Sequence, residues 1–348
     1  MSIKVAIIGV GNCTKSLIEG ISYYSQRDCN GGGIIHPNIG PYNVNDIEFV
    51  LAFDVDSRKV GINLSEAIYA NPNKTHVLAK PLEYGVVVKR GPTLDSIIPE
   101  LREYFIYESE LPSVNVVDEL VKSQVDIVVN FLPTGSEKAT SFYAEAALSA
   151  GCSFINCMPT YLARDPRWRK KFEDCGLILL GDDIKSQCGA TIVNRTLLNL
   201  FRIRGVNLVS STQINYGGNA DHFNLQYRAI SKETSKEQSL EGVLANDTVK
   251  PIVSMLYREE NYDHKQAKIE IKGTIFGGVP VSIKLTLDDE DSPNSAGIVV
   301  EAILASKLLI EKKRYSKAQY ISSFLMKAAP VQFSDEKAYQ IFEEILGL

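Results

Sequence analysis

The sequence is poor in the residues that mark several protein classes. It holds one tryptophan, four methionines, four histidines and six cysteines in 348 residues. Cys13, Cys29, Cys152, Cys157, Cys175 and Cys188 show no C-x-x-C spacing, which argues against a finger or ribbon zinc site, and they are too sparse for a disulfide-scaffolded secreted domain. They read as reduced thiols, with pairing of the kind a thermophile's cytosol retains left open. The net charge of −5 carries no concentrated basic tract, so a nucleic-acid surface is not expected. No run reads as apolar enough to span a bilayer, and the opening Met1-Ser2-Ile3-Lys4-Val5 lacks the charged and then apolar regions of a signal peptide. The expectation is a soluble, cytoplasmic protein with a small-molecule substrate and no nucleic-acid or membrane partner.

What is present is an alternation of strand and helix patterns. With 45% hydrophobic and 23% charged residues the composition is globular, and the length exceeds what one core usually supports. Residues 3–8 form a β-branched apolar run ending in Gly9, followed by helical spacing through Leu17, Ile18 and Ile21. A Gly- and Asn-rich stretch over 28–45 intervenes, and residues 47–53 then read as a second buried strand ending in Asp54. Further apolar runs at 125–131, 153–157 and 176–180, with a helix predicted over 137–150, complete the pattern of a doubly wound parallel sheet. Beyond residue 200 the texture changes: residues 268–274 and 279–287 alternate with period two around Phe276-Gly-Gly-Val-Pro280 and predict an antiparallel hairpin. Ser292 before Pro293 reads as an N-cap with proline at the first helical position, ahead of a helix over 296–309, and a last amphipathic helix is predicted over 335–346.

Gly9-Val-Gly11-Asn12-Cys13-Thr14 lies between strand and helix, where backbone amides and a helix N-terminus can meet a pyrophosphate. Thr14 stands where a third glycine is usual, so a dinucleotide turn and a plain tight turn both remain open. Asp54 is the expected acceptor for a ribose hydroxyl, and a carboxylate there favours NAD over NADP; Asp56 is the alternative. Asn130, Pro133 and Thr134 follow another predicted strand and either line the nicotinamide side of the crevice or form a turn and cap. Gly181-Asp182-Asp183-Ile184-Lys185-Ser186-Gln187-Cys188-Gly189-Ala190-Thr191 leads into an apolar helix and suits either an anion site or a capping box. Lys232 and Lys236 are spaced to share a helix face, a like-charge arrangement that needs solvent or an anion between them. Nothing in composition or spacing selects Lys265, Asp291 or Lys327.

These segments together resemble the inositol-1-phosphate synthase family, in particular its shorter bacterial and archaeal branch. The matching stretches include Gly9-Val-Gly-Asn-Cys13, Gly40-Pro-Tyr-Asn-Val44, Phe53-Asp-Val-Asp56, Gly181-Asp-Asp-Ile-Lys-Ser-Gln187, Gly217-Gly-Asn-Ala-Asp221, Ser231-Lys-Glu-Thr-Ser-Lys236, Asp289-Glu-Asp-Ser-Pro-Asn-Ser-Ala-Gly297 and Leu325-Met-Lys-Ala-Ala-Pro330, nearly end to end. The resemblance implies an α/β fold: a Rossmann-type NAD domain from residues 1–200 plus 293–348, around an α+β catalytic and tetramerisation domain over 201–292. It implies conversion of glucose 6-phosphate to 1L-myo-inositol 1-phosphate by a homotetramer, through oxidation at C5, enolisation, attack of C6 on the C1 aldehyde, and reduction of C5.

By that resemblance Lys232, Lys236, Lys265 and Lys327 are catalytic lysines and Asp291 is the acid. Lys232 would act as base at the C5 hydroxyl, Lys327 would stabilise the C5 oxygen, and Lys236 and Lys265 would meet the C1 oxygen and the phosphate. Ser186, Gln187, Gly189 and Ala190 would cradle phosphate, with Asn219 and Asp221 as a substrate-side polar pair. Gly9, Gly11, Asn12, Cys13, Asp54, Asn130, Pro133, Thr134 and Asp183 would serve NAD. Some family members use a divalent metal as a Lewis acid. Of His36, His76, His222 and His264 only His222 falls in a site motif, and it reads as a packing or polar contact, so the metal stays open.

Overall fold

The computed structural model describes residues 2–26, 32–95, 97–225 and 250–348. Its first sheet has six parallel strands: β1 (Ile3–Ile8), β4 (Ile47–Asp54), β5 (Lys89–Arg90), β6 (Ile127–Asn130), β7 (Ser153–Asn156) and β8 (Leu179–Leu180), in the order β5-β4-β1-β6-β7-β8. A small hairpin, β2 (Asn38–Ile39) and β3 (Tyr42–Asn43), lies in the insertion before β4. Chain order reverses across β1, so a crevice opens at the carboxyl ends of β1, β4 and β6, where the glycine turn lies.

The strict alternation of β1 explains why both sheet faces are covered. Ile3, Val5 and Ile7 join one apolar core, while Ala6 and Ile8 join another. The first core draws on α1 (Asn12–Ser25) and on three helices from the end of the chain: α8 (Asp291–Glu311), α9 (Ala318–Leu325) and α10 (Asp335–Leu346). The second draws on α4 (Val116–Lys122), α5 (Glu137–Ala150) and α6 (Pro166–Asp174). The short α2 (Leu64–Ala67) and α3 (Pro99–Tyr104) lie in the connections between β4 and α4. Helix α5 ends where expected because Gly151 takes a left-handed φ of 74°.

The second sheet has the order β10-β9-β11-β12, from β9 (Asn207–Gly217), β10 (Ile252–Tyr257), β11 (His264–Thr274) and β12 (Pro280–Glu290). The predicted hairpin is present, with Ile271 opposite Ile283. Helix α7 (Ala190–Ile203) covers one face, its Leu198 and Phe201 packing with Leu208, Val253 and Ile269.

Two expectations are corrected. Helix α8 is long and apolar enough, by length and composition, to cross a membrane, and no such run was expected. Its Ile298, Val299, Ala302, Ile303 and Leu304 are buried in the first core, and a helix enclosed on most sides has no need of a polar face. The same helix begins at Asp291 with Glu290 as N-cap, so Ser292 is inside it and does not cap it. The Ser292 amide and hydroxyl instead donate to the Asp263 carboxylate, at 3.1 and 2.8 Å, so the cap comes from another segment.

Candidate active site

The crevice begins at the glycine turn. Gly9 has φ of +89°, and a Cβ there would meet the Phe131 carbonyl oxygen at 2.8 Å, so only glycine fits between β1 and the turn after β6. A Cβ on Gly11 would meet nothing within 4 Å; it would project into open space at the N-terminus of α1, the space a pyrophosphate needs. Thr14 replaces the third glycine at no loss: its buried hydroxyl donates to the Gly9 carbonyl at 2.6 Å and braces the turn. Cys13 lines the same cleft as a neutral thiol, its pKa pushed up to about 12 by burial and then by Asp263, Asp291 and Asp221.

Asp54 and Asp56 are separated by their partners. Asp54 accepts the amides of Val10, Val55 and Asp56 at 2.7–2.9 Å. That leaves acceptor capacity on a carboxylate at the strand end, facing a cleft of about 300 Å³. Asp56 is closed off by Arg58, which donates three hydrogen bonds to it at 2.5–2.9 Å. Asp54 is therefore the acceptor available to a ribose.

The opposite wall departs from expectation at two positions. Pro133 lines the cleft, but Asn130 is fully buried and its amide donates to Asn156 and Thr140, away from the cleft. Asn156 in turn donates to buried Asp182, which also accepts the amides of Leu162, Ala163 and Arg164; burial still pushes its pKa up to about 7. Thr134 is also buried: its hydroxyl donates to Asp221 at 3.1 Å and its carbonyl accepts from Asn224. Asn130 and Thr134 thus position the wall and do not form its surface, because a small polar residue at a strand end faces inward as readily as outward.

Beyond this cleft lies a smaller polar pocket of about 50 Å³, and the two share Ser186, Asp291 and Lys327. Segments 182–185 and 325–328 run antiparallel, with Lys327 and Asp183 exchanging backbone and side-chain contacts: the Lys327 amide donates to the Asp183 carbonyl at 2.7 Å and its ammonium to the carboxylate at 2.8 Å. Lys265 reaches the pocket through the hairpin register, which sets it opposite Asp289, two residues before Asp291. Its ammonium donates to Asp291 and lies 3.4 Å from Asp289. Burial works against that charge, but the two carboxylates outweigh it and hold the Lys265 pKa above its ordinary value.

Gly189 caps α7 without any side-chain bond, so the first amides of that helix face the pocket beside Ser186. Gln187 is not part of this cradle. Its amide donates to the Asn294 carbonyl and its side chain to the Gly33 carbonyl, both at 2.9 Å. Asn219 and Asp221 line the large cleft, and His222 stands by the pocket with its amide donating to Asn219 at 3.0 Å. Lys232 and Lys236 lie outside the described residues.

Sequence reasoning passed over three residues. Lys185 lines the pocket; its buried ammonium donates to the Ser323 carbonyl and to Asp335, and burial pushes its pKa down to about 8. Buried Asn215 also lines it. The third is Asp263. Lys185 stood within a conspicuous motif; the other two carried no signal, since Asn215 gains its place from strand pairing and Asp263 from side-chain contacts with Asn12, Asn219 and Ser292, all far off in sequence. Among the described residues no group of three or more His, Cys, Asp or Glu side chains is arranged to hold a metal ion.

A doubly wound sheet with a glycine turn at its switch point, opening onto a lysine-lined polar pocket at a helix start, defines a Rossmann-type enzyme frame. The comparisons with known proteins narrow this. The family model for myo-inositol-1-phosphate synthase matches residues 189–292. The chain is 42% identical over 353 residues to inositol-3-phosphate synthase of Mycolicibacterium smegmatis, covering 97% of this chain and 95% of that one. It is also 42% identical over 360 residues to the enzyme of the same name from Corynebacterium glutamicum, covering 99% and 98%. A solved myo-inositol-1-phosphate synthase-related protein from Thermotoga maritima superposes with a TM-score of 0.83 at 25% identity, over 100% of this chain and 99% of that one. The chain belongs to the myo-inositol-1-phosphate synthase family.

Proposed function

We propose that this chain converts glucose 6-phosphate to 1L-myo-inositol 1-phosphate in a reaction without net redox change. The observation that carries the reading is the shared wall of Ser186, Asp291 and Lys327, which sets a basic, anion-binding pocket directly against a dinucleotide-shaped cleft. The open space at Gly11, the fixed Gly9 turn and the residual acceptor capacity of Asp54 suit NAD. Bound there, NAD would accept a hydride from C5 and give it back after ring closure.

The chain's own residues supply the rest. The amides at the start of α7 and the Ser186 hydroxyl hold the substrate phosphate. The Lys327 ammonium, fixed by Asp183, stabilises negative charge on the C5 oxygen at the boundary of cleft and pocket. The Lys265 ammonium faces the C1 oxygen and gives it a proton as it becomes an alkoxide, and the Asp291 carboxylate, in contact with Lys265, relays a proton back to the lysine. Lys232 is assigned the base at the C5 hydroxyl and Lys236 a share of the C1 oxygen and phosphate, on the motif match alone. The expected boundary at residue 200 falls inside α7, whose Leu198 and Phe201 pack on the second sheet, so residues 1–189 with 293–348 are assigned to cofactor binding and α7 with 204–292 to catalysis and tetramer contacts, in a cytoplasmic homotetramer.

The test is incubation of purified protein with glucose 6-phosphate and catalytic NAD, with and without a divalent ion, following inositol phosphate and NADH absorbance. Inositol phosphate without accumulating NADH is expected. Stoichiometric NADH and no cyclised product would make the chain an ordinary sugar-phosphate dehydrogenase. The paired runs report any metal requirement.

A further inference from the structure

Behind the phosphate pocket two buried cations share one carboxylate. Lys185 and Arg195 are 1% and 0% exposed. The Lys185 ammonium donates to Asp335 Oδ1 at 3.1 Å, and Arg195 Nε donates to Asp335 Oδ2 at 2.6 Å. Two backbone carbonyls complete the arrangement: Ser323 accepts from Lys185 at 2.7 Å and Phe333 from Arg195 Nη2 at 2.9 Å. Asp335 is the first residue of α10, where a carboxylate also suits the helix dipole. The dipole does not explain the two cations, because burying either one is costly unless a carboxylate and further acceptors meet it. The shared contact therefore binds the elements that carry them.

Those elements are the ones that shape the pocket. Lys185 directly precedes Ser186, and Arg195 stands in the second turn of α7, so the two cations bracket the amides that face the pocket. Lys327 lies in the loop between α9 and α10, and Asp335 closes that loop. The loop is stitched down along its length: Gln332 Nε2 donates to the Lys327 carbonyl at 2.8 Å, and the Phe333 amide donates to Ser323 Oγ at 2.9 Å. Among the described residues neither Asp335 nor Arg195 lines the pocket or the large cleft. We propose that Asp335 is a positioning residue that clamps the phosphate-binding start of α7 to the loop carrying Lys327. The clamp sets the distance between the bound phosphate and the charge that meets the C5 oxygen. In glucose 6-phosphate only C6 and its oxygen separate C5 from the phosphorus, so a cradle displaced relative to Lys327 moves C5 off its partner. Asp335 acts through Lys185 and Arg195 and not on the substrate. The inference rests on the phosphate and Lys327 assignments above.

The experiment compares Asp335→Asn, Ser186→Ala and the double variant. The asparagine keeps the shape and removes the charge that both cations meet. Asp335→Asn is expected to raise the KM for glucose 6-phosphate and to lower kcat, each by about ten-fold, the usual scale for a lost hydrogen bond to a charged group. NAD binding, measured by calorimetry without sugar, should stay within two-fold of the parent, since the clamp lies outside the large cleft. A purely structural role would instead lower the active fraction and leave KM unchanged. In the double variant the rise in KM should be smaller than the product of the single rises, because both changes disturb one cradle. Arg195→Lys keeps the charge and loses the planar fork that spans Asp335 and the Phe333 carbonyl, so it should raise KM in the same direction and stands in if Asp335→Asn does not fold. A folded Asp335→Asn protein with KM and kcat within two-fold of the parent would overturn the proposal. So would NAD and sugar-phosphate affinity falling together, independent effects in the double variant, or an Arg195→Lys protein with the parent's KM. A parent protein that binds NAD and does not cyclise the sugar would instead overturn the proposed function.

Discussion

Lys265 stands between Asp289 and Asp291, and the value of that arrangement depends on all of it being present. Removing one member of a buried ion pair leaves charge without compensation, at a cost of about 3–5 kcal/mol. Lys265→Met should therefore lower stability to urea by about that much as well as abolish turnover, because two carboxylates then face each other. Adding Asp289→Asn should recover much of the stability and none of the turnover. If the single variant is inactive but as stable as the parent, the lysine serves chemistry without contributing to the fold. Equal recovery of stability and activity in the double variant would show that the loss of turnover was structural.

Among the contacts by which the Gly- and Asn-rich insertion docks onto the C-terminal helices, one is made by a histidine. The His36 amide and Nδ1 meet the fully buried carboxylate of Glu301 on α8, at 2.9 and 2.8 Å, and its ring stacks on Tyr339 and Phe342 of α10. The hydrogen bond to Glu301 raises the His36 pKa above its ordinary 6.5, against the opposing effect of burial. A folded-state pKa above the unfolded one means that this contribution is complete below about pH 6.5 and is lost as pH rises through the raised value. Urea midpoints measured at pH 6 and pH 9 should fall with rising pH in the parent and fall less in His36→Gln; identical slopes would show that the pair adds nothing. This docking was not legible in the sequence, whereas many elements were. Short apolar runs placed β1 and β4, and helical spacing placed α5 over 137–150. The glycine turn and Asp54 followed from local pattern for the same reason. Glu301, Asp263 and the orientation of Asn130 and Gln187 were hidden, because their partners lie far off in sequence and hydrophobic periodicity says nothing about which way a polar side chain turns.

At the scale of the whole molecule the two ends of the chain share one core. Ile3, Val5 and Ile7 of β1 pack in the cluster that holds Ile303, Leu304 and Leu308 of α8 and Phe342 of α10, so neither end can leave without opening the other. The large cleft is walled by Asn12 from one unit and Asn219 from the second sheet's loop, both tied to Asp263. A ligand that binds only this assembled cleft stabilises by mass action, about 2.7 kcal/mol at a hundred times its Kd. The shared core and the bridged cleft together predict a single calorimetric transition that NAD moves upward as a whole. Were the sheets independent, NAD would raise one transition and leave a second at its original temperature. A second, unmoved transition would therefore show that Asp263 and the α8 contacts do not couple the units. A single transition indifferent to saturating NAD would show that the cleft is not a dinucleotide site at all.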